Sequence, residues 1–188
     1  IAHVGNNHIW DFGSEGIQET KRYLEEGDVL YFGDSGGKTE SVLIQEVGGM
    51  RIGFVSYNEF SNGSEARALE SLKKLDVTVD FLVLYTHWGN EYENVPRPDQ
   101  VVLARQLVAA GADIVVGSHP HVVQASEVVE GAPVYYSLGN LVFDQYFEKG
   151  VRCGALLSVE IKEGKILSHE LISVSLEKTR QTTLEACE

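Results

Sequence analysis

Two apolar segments separated by a helical pattern constrain the fold of this chain most strongly. Residues 81–85 are continuously apolar (Phe-Leu-Val-Leu-Tyr), as in a strand buried on both faces of a sheet. Pro98 then opens a helical segment that ends at Gly111, and residues 112–116 form a second apolar run. Strand, helix and strand in this order predict a βαβ unit, and therefore a parallel sheet.

Histidines follow both of these predicted strands. His87 stands just beyond the first strand, and His119 and His121 stand just beyond the second. Functional sites of open α/β sheets gather beyond the carboxyl ends of strands, so we expect these imidazoles to converge. Neutral imidazole is the commonest metal ligand near neutral pH. A metal site is therefore one interpretation, and a set of buried, hydrogen-bonded histidines is the other.

The rest of the chain predicts two more helices and three hairpins. The helices cover residues 14–27, with Ser14 as N-cap, and residues 64–75, capped by Ser64. The hairpins cover residues 41–57, 124–137 and 155–176. We expect one α/β domain at residues 1–176 and a polar tail at 177–188, with no internal repeat.

Charge and composition argue against several classes of function. The formal net charge is -13 over 188 residues, which argues against binding to a nucleic-acid backbone. No segment has the length and apolarity of a membrane span, and no signal peptide is recognisable. The two cysteines, Cys153 and Cys187, form no metal or redox motif, and two free thiols are favoured over a disulfide.

A serine nucleophile at Ser35 is a third interpretation. Gly33-Asp34-Ser35-Gly36-Gly37 satisfies the G-x-S-x-G pattern, but the nucleophile elbow needs a strand, a tight turn and a helix. A strand-like segment follows here instead, so a glycine-rich turn is favoured.

Four motifs in a fixed order resemble one protein family. They are Asn6-Asn7-His8, His87-Trp88-Gly89, Gly117-Ser118-His119-Pro120-His121 and Tyr136-Ser137-Leu138-Gly139-Asn140. Together they resemble the capsule-synthesis CapA family, also called the poly-γ-glutamate biosynthesis PgsA/CapA proteins, within the calcineurin-like metallophosphoesterase superfamily. The resemblance implies a layered α/β sandwich of mixed β-sheets flanked by helices.

The resemblance also implies roles for individual residues. Asn7, His87 and His119 match the ligands of one metal, and His121 matches a ligand of a second. His8 matches the catalytic histidine. The implied cofactor is a divalent transition metal (Mn, Fe or Zn), with two ions in the complete protein.

The acidic motifs of the superfamily would precede Asn6, and they are absent from this sequence. The chain starts at Ile1 and its only methionine is Met50. We therefore expect a carboxyl-terminal portion of a longer protein that lacks the first strands of its sheet and part of the dinuclear site.

Three more polar residues are candidates for supporting roles. Glu91, Asn140 and Asp144 stand close in sequence to the motifs, and we expect them to support the metal ligands or to contact substrate.

The family resemblance implies a metal-dependent phosphoesterase-type hydrolase of capsule or poly-γ-glutamate biosynthesis. Its partners would be an anionic polymer or phosphoester substrate and a membrane synthesis complex, at the cell envelope or outside the cell. The alternative is a non-catalytic accessory subunit of such a complex. If the sequence that precedes residue 1 carries both acidic motifs, the enzyme would be favoured over the accessory subunit.

Overall fold

Eleven strands and three α-helices make up the described part of the chain. The computed structural model describes residues 1–33, 41–177, 179 and 181–184, so the Ser35 interpretation lies outside the described residues. In chain order the elements are β1 (Ala2–His3), α1 (Gly13–Glu26), β2 (Tyr31–Phe32), β3 (Val42–Val47), β4 (Met50–Asn58), α2 (Ser64–Leu75), β5 (Phe81–His87), α3 (Pro98–Ala109), β6 (Ile114–Ser118), β7 (Ser126–Val129), β8 (Ala132–Tyr135), a 3-10 turn (Gly150–Arg152), β9 (Cys153–Lys162), β10 (Lys165–Leu176) and β11 (Thr182–Thr183).

The central layer is a mixed sheet of six strands in the order β3-β4-β5-β6-β8-β7. Strands β4, β5, β6 and β8 run parallel, and β3 and β7 pair antiparallel at the two edges. The predicted βαβ unit is confirmed as β5, α3 and β6. The register pairs Asn58 with His87 and His87 with Ser118, so the carboxyl ends of three strands coincide.

Both faces of this sheet are covered. Helices α2 and α3 bury Leu72 and Leu107 against Leu84 and Val115 of the sheet, and all four side chains are fully buried. The other face carries the short parallel pair β1-β2 and the antiparallel sheet β11-β10-β9. The α/β fold of mixed sheets flanked by helices, expected from the family resemblance, is therefore confirmed. No helix within the described ranges is long and apolar enough to cross a bilayer.

Both predicted serine caps are wrong. Ser14 lies inside α1, which begins at Gly13 after Phe12 and has no side-chain cap. Ser64 is the first residue of α2, and its hydroxyl accepts a hydrogen bond from the backbone N–H of Asn58 at 2.9 Å instead of capping the helix. The hydroxyl is used there because the buried N–H of Asn58, at the end of β4, needs an acceptor.

Two further findings concern the carboxyl-terminal part. Thr182–Thr183, in the segment predicted as a polar tail, pair with Ser175 and Leu176 as β11. Cys153 is disulfide-bonded, so the expectation of two free thiols is wrong. Cys187 itself lies outside the described residues.

Candidate metal centre

The carboxyl edge of the main sheet gathers the predicted ligands. His87 is the last residue of β5, and His119 follows Ser118, the last residue of β6. The Asn6-Asn7-His8 turn follows β1, which packs on the sheet through His3, whose Nε2 lies 2.8 Å from the Ser56 hydroxyl. Asn7 thereby reaches the same edge from the other layer.

The two ring nitrogens of His87 face different partners. Nδ1 lies 3.2 Å from Oγ of Ser118, and Nε2 lies 2.9 Å from Oδ1 of Asn7. Since the Ser118 hydroxyl lies 2.8 Å from the Thr86 carbonyl and can donate its proton there, we assign Nδ1–H of His87 as the donor to Oγ. Burial, with smaller contributions from His119 and other histidines, lowers the pKa of His87 to about 3. The ring is therefore neutral, and its Nε2 lone pair faces the oxygen lone pairs of Asn7.

His119 is buried against His87. The centroids of the two rings are 4.7 Å apart, and Phe60 packs edge-on against His119 at 4.6 Å. Burial lowers the pKa of His119, while the nearby Glu91 carboxylate opposes this shift. Its Nδ1 is buried and has no hydrogen-bond partner within the described residues. An unsatisfied buried nitrogen costs free energy unless another group binds it.

His121 is held by Asn140 and by aromatic side chains. Its Nδ1 lies 2.8 Å from Oδ1 of Asn140, a buried residue that also donates to the Val151 carbonyl at 2.9 Å. Tyr92 stacks on the His121 ring at 5.9 Å, and Phe143 lies at 5.0 Å. Since Asn140 engages Nδ1, Nε2 of His121 is the nitrogen left for another ligand.

Glu91 belongs to a second group of candidate metal ligands. One atom each from Glu91, His119 and His121 lie within 4.8 Å of one another, a spacing that could hold a metal ion. The structure thus places Glu91 beside these two histidines rather than at a ring nitrogen of His87. Asp144 is exposed.

The backbone is strained at this group. His119 has φ 98°, His121 has φ 62° and Tyr92 has φ 66°. Non-glycine residues rarely adopt positive φ, and such strain clusters at functional sites because the surrounding structure must hold it. Here the positive φ angles belong to both His119 and His121, so a single loop presents two imidazoles, one on each side of Pro120.

Gly117 allows the loop to start where it does. A Cβ at this position would lie 2.0 Å from the Tyr136 carbonyl oxygen and 2.8 Å from Nε1 of Trp88. That nitrogen donates to the same carbonyl at 2.9 Å, and Trp88 is fully buried. Only glycine therefore lets the end of β6 pass this close to Tyr136 and Trp88.

His8 has an acidic partner. Its Nδ1 lies 2.9 Å from Oδ2 of Asp11, and the side chains of both residues are exposed. His8 is close enough to contribute to the lowered pKa of both His87 and His119, after the larger effect of burial. A carboxylate on Nδ1 fixes the ring and leaves Nε2 directed away from it.

An ion pair holds the turn between His87 and Glu91. The Glu59 carboxylate accepts from the Gly89 N–H at 2.7 Å and from the Arg97 guanidinium at 2.5 Å. Arg97 also donates to the Asn90 side chain at 3.0 Å and to Asp99, with which it begins α3. Both Glu59 and Arg97 are about three-quarters buried (side-chain exposure 26% and 27%).

Sequence reasoning missed several of these residues. Asp11 could have been found, because it stands three residues after His8 within one turn. Glu59 and Ser118 carry no local signal, since each reaches its partner only through the register of the parallel strands.

Comparisons with known proteins identify relatives of this chain. The chain is 30% identical to the capsule biosynthesis protein CapA of Bacillus anthracis, over 95% of this chain and 48% of that protein. It is 31% identical to the PGA biosynthesis protein CapA of Bacillus subtilis, over 87% of this chain and 47% of that protein. The chain therefore spans about half the length of the curated relatives it matches.

Two solved structures share the fold. A hypothetical protein from Thermus thermophilus matches with a TM-score of 0.61 and 16% identity, over 89% of this chain and 73% of that one. A Staphylococcus aureus protein described as a candidate 5'-nucleotidase matches with a TM-score of 0.57 and 15% identity, over 88% of this chain and 36% of that one.

The model of one family, bacterial capsule synthesis protein PGA_cap, matches residues 1–145. This range holds all four motifs, from Asn6 to Asn140. Since the match covers most of the chain, the chain belongs to the PGA_cap family of bacterial capsule synthesis proteins.

Proposed function

We propose that this chain carries part of the divalent-metal centre of a phosphoesterase-type hydrolase that acts in capsule or poly-γ-glutamate biosynthesis. One observation carries the proposal. The Nε2 lone pair of His87 faces Oδ1 of Asn7 at 2.9 Å, beside a buried His119 nitrogen without a partner in the described chain. Neither member of the pair supplies a proton, so the arrangement suits a cation that accepts both lone pairs.

The donor set fits a borderline transition metal such as Mn, Fe or Zn. Asn7, His87 and His119 would hold one ion, and His121 with Glu91 would hold a second. When bound, such ions lower the pKa of a coordinated water and offset charge on a phosphoryl oxygen.

The chain's own residues would supply orientation and a proton. Ser118 and Asn140 engage Nδ1 of His87 and of His121, which directs Nε2 of each ring to the centre. His8, held by Asp11, would protonate the oxygen of the leaving group through Nε2.

The names of the relatives and the chemistry of the chain support a proposal for the place of action. The two curated relatives are named for capsule and PGA biosynthesis, so we propose a cell-envelope role next to a polymer-synthesis complex. The disulfide at Cys153 supports an oxidising compartment. The chain has a net charge of -13, so it would repel an acidic polymer except where bound cations offset the negative field.

Hydrolysis of a simple phosphodiester by the full-length protein tests this proposal. We expect Mn²⁺- or Zn²⁺-dependent cleavage of bis(p-nitrophenyl) phosphate, and His8→Asn should lower kcat by roughly 10²–10⁴-fold without loss of bound metal. His169→Asn, a change at an exposed histidine of β10, is the matched control. Bound metal without any hydrolysis would instead support the accessory role, and full activity of His8→Asn would reject the proton donor.

A further inference from the structure

A cavity of ≈ 300 Å³ opens beside the candidate metal centre. It lies between the turn that carries Asn7 and the loop that follows β4. Two of its lining residues also contact the centre: Asn7 faces Nε2 of His87, and Phe60 packs on His119 at 4.6 Å. A molecule that reacts at the centre could therefore extend into this cavity.

Two aromatic rings form apolar walls of the cavity. Trp10 and Phe60 both line it, and they remain 53% and 49% exposed. Large aromatic side chains gain most when their faces are covered, and half-exposed rings on one cavity offer those faces to a ligand. By contrast Trp88, in the next loop, is fully buried and already stacked on Tyr136.

The polar walls are amides rather than charges. None of the described residues that line the cavity is charged. The polar ones are four asparagines and a serine: Asn6, Asn7, Asn58, Asn62 and Ser61. Amides both donate and accept hydrogen bonds, so they recognise neutral polar edges.

The amide walls are fixed before any ligand arrives. Asn58 donates to the Asn6 carbonyl at 3.1 Å and accepts from the Phe60 N–H at 3.1 Å, and Asn6 accepts from the His8 N–H at 2.9 Å. Such bonds tie the two walls together and lower the ordering cost of binding.

We propose that this cavity is the subsite for an uncharged ring with hydrogen-bonding edges, such as a nucleobase or a sugar, borne by the substrate. The ring would lie against Trp10 and Phe60, and the side chains of Asn6 and Asn62 would meet its edges. The assignment of the ring to a substrate rests on the proposed function, whereas ring binding itself does not need the metals.

Calorimetry on the metal-free chain tests the subsite. The probes are adenosine 5'-monophosphate and glucose 1-phosphate, each compared with inorganic phosphate. We expect at least one ring phosphate to bind at least tenfold more tightly than phosphate, and the better probe distinguishes a base from a sugar. Trp10→Ala and Phe60→Ala should each weaken that binding at least tenfold, while Trp10→Phe should retain most of it.

Phe12→Ala is the matched control, because Phe12 is 87% exposed and is not a lining residue of the cavity. Circular dichroism checks that the variants fold, and quenching of the Trp10 fluorescence provides a second readout. Ring phosphates that bind no better than phosphate would overturn the inference. Equal effects of Trp10→Ala and Phe12→Ala would also overturn it.

The outcomes separate this inference from the proposed function. Ring binding without any metal-dependent hydrolysis would keep the subsite and reject the hydrolase. Hydrolysis of bis(p-nitrophenyl) phosphate without ring binding would reject the subsite and keep the hydrolase.

Discussion

Oδ1 of Asn7 lies 2.9 Å from Nε2 of His87, although the two residues are 80 positions apart in the chain. Because His87 donates through Nδ1 to Ser118, both facing atoms are acceptors, and a shared cation explains their approach. We therefore expect Asn7→Leu, which keeps the size but removes the lone pairs, to weaken Mn²⁺ binding by more than about tenfold. Asn7→Asp should retain it, and Asn62→Leu should leave it unchanged in titration calorimetry.

The Glu59–Arg97 pair gives a second prediction. It holds the Gly89–Asn90 turn, and with it Glu91, next to His119 and His121. Arg97→Met should weaken metal binding about tenfold or more, as loss of a supporting contact does at metal sites, and Arg97→Lys should restore part of it. Equal metal affinity in Arg97→Met and wild type would show that the turn needs no such support.

A backbone contact gives the third prediction. Gly117→Ala would force the new Cβ toward the Tyr136 carbonyl, whose oxygen would be 2.0 Å away. We expect a loss of about 1–3 kcal/mol in the free energy of unfolding, measured by urea denaturation. Gly150→Ala is the control, since its Cβ would meet only a Val122 methyl at 3.3 Å. A loss no larger than that of the control would show that β6 can shift.

His3 gives the fourth prediction, which concerns pH. Burial lowers the pKa of His3 from 6.5 to about 3 in the folded chain. Between these pH values the unfolded state binds a proton that the folded state does not, so stability must fall as the pH drops from about 6.5 toward 3. One such group contributes at most ~1.4 kcal/mol per pH unit.

His3→Gln removes this titration while an amide can still reach the Ser56 hydroxyl. Chemical denaturation of the metal-free chain at several pH values should therefore show a flatter pH dependence in this variant. Leu72→Ala, a core change on the opposite face of the sheet, should lower stability without flattening the curve. An unchanged slope in His3→Gln would contradict the assignment.

The local pattern of apolar residues and glycines was sufficient to predict most of the strands and helices. The apolar runs and glycine stops place β5, α3, β6 and the hairpins within a few residues of their observed bounds. The cap positions were not predictable in this way. Ser64 has the right residue type for a cap, but the buried N–H of Asn58 competes for its hydroxyl.

Part of the candidate site could likewise be predicted from the sequence, and part could not. His87 ends β5, and His119 and His121 follow β6, so parallel pairing brings them to one edge, as their positions in the sequence indicated. The placement of Glu91 depends on a turn held by Glu59, which follows β4. No spacing rule encodes such a contact, because it is set by the register of the sheet and by side-chain geometry.

Anomalous X-ray diffraction from crystals grown with Mn²⁺ or Zn²⁺ tests the central claim most directly. We expect a metal peak about 2.0–2.2 Å from Nε2 of His87 and from Oδ1 of Asn7, with a ring nitrogen of His119 also bound. The two facing acceptors should move apart to admit the ion. Crystals of comparable quality with no peak between Asn7, His87 and His119, at metal concentrations that load other sites, would contradict the proposed centre.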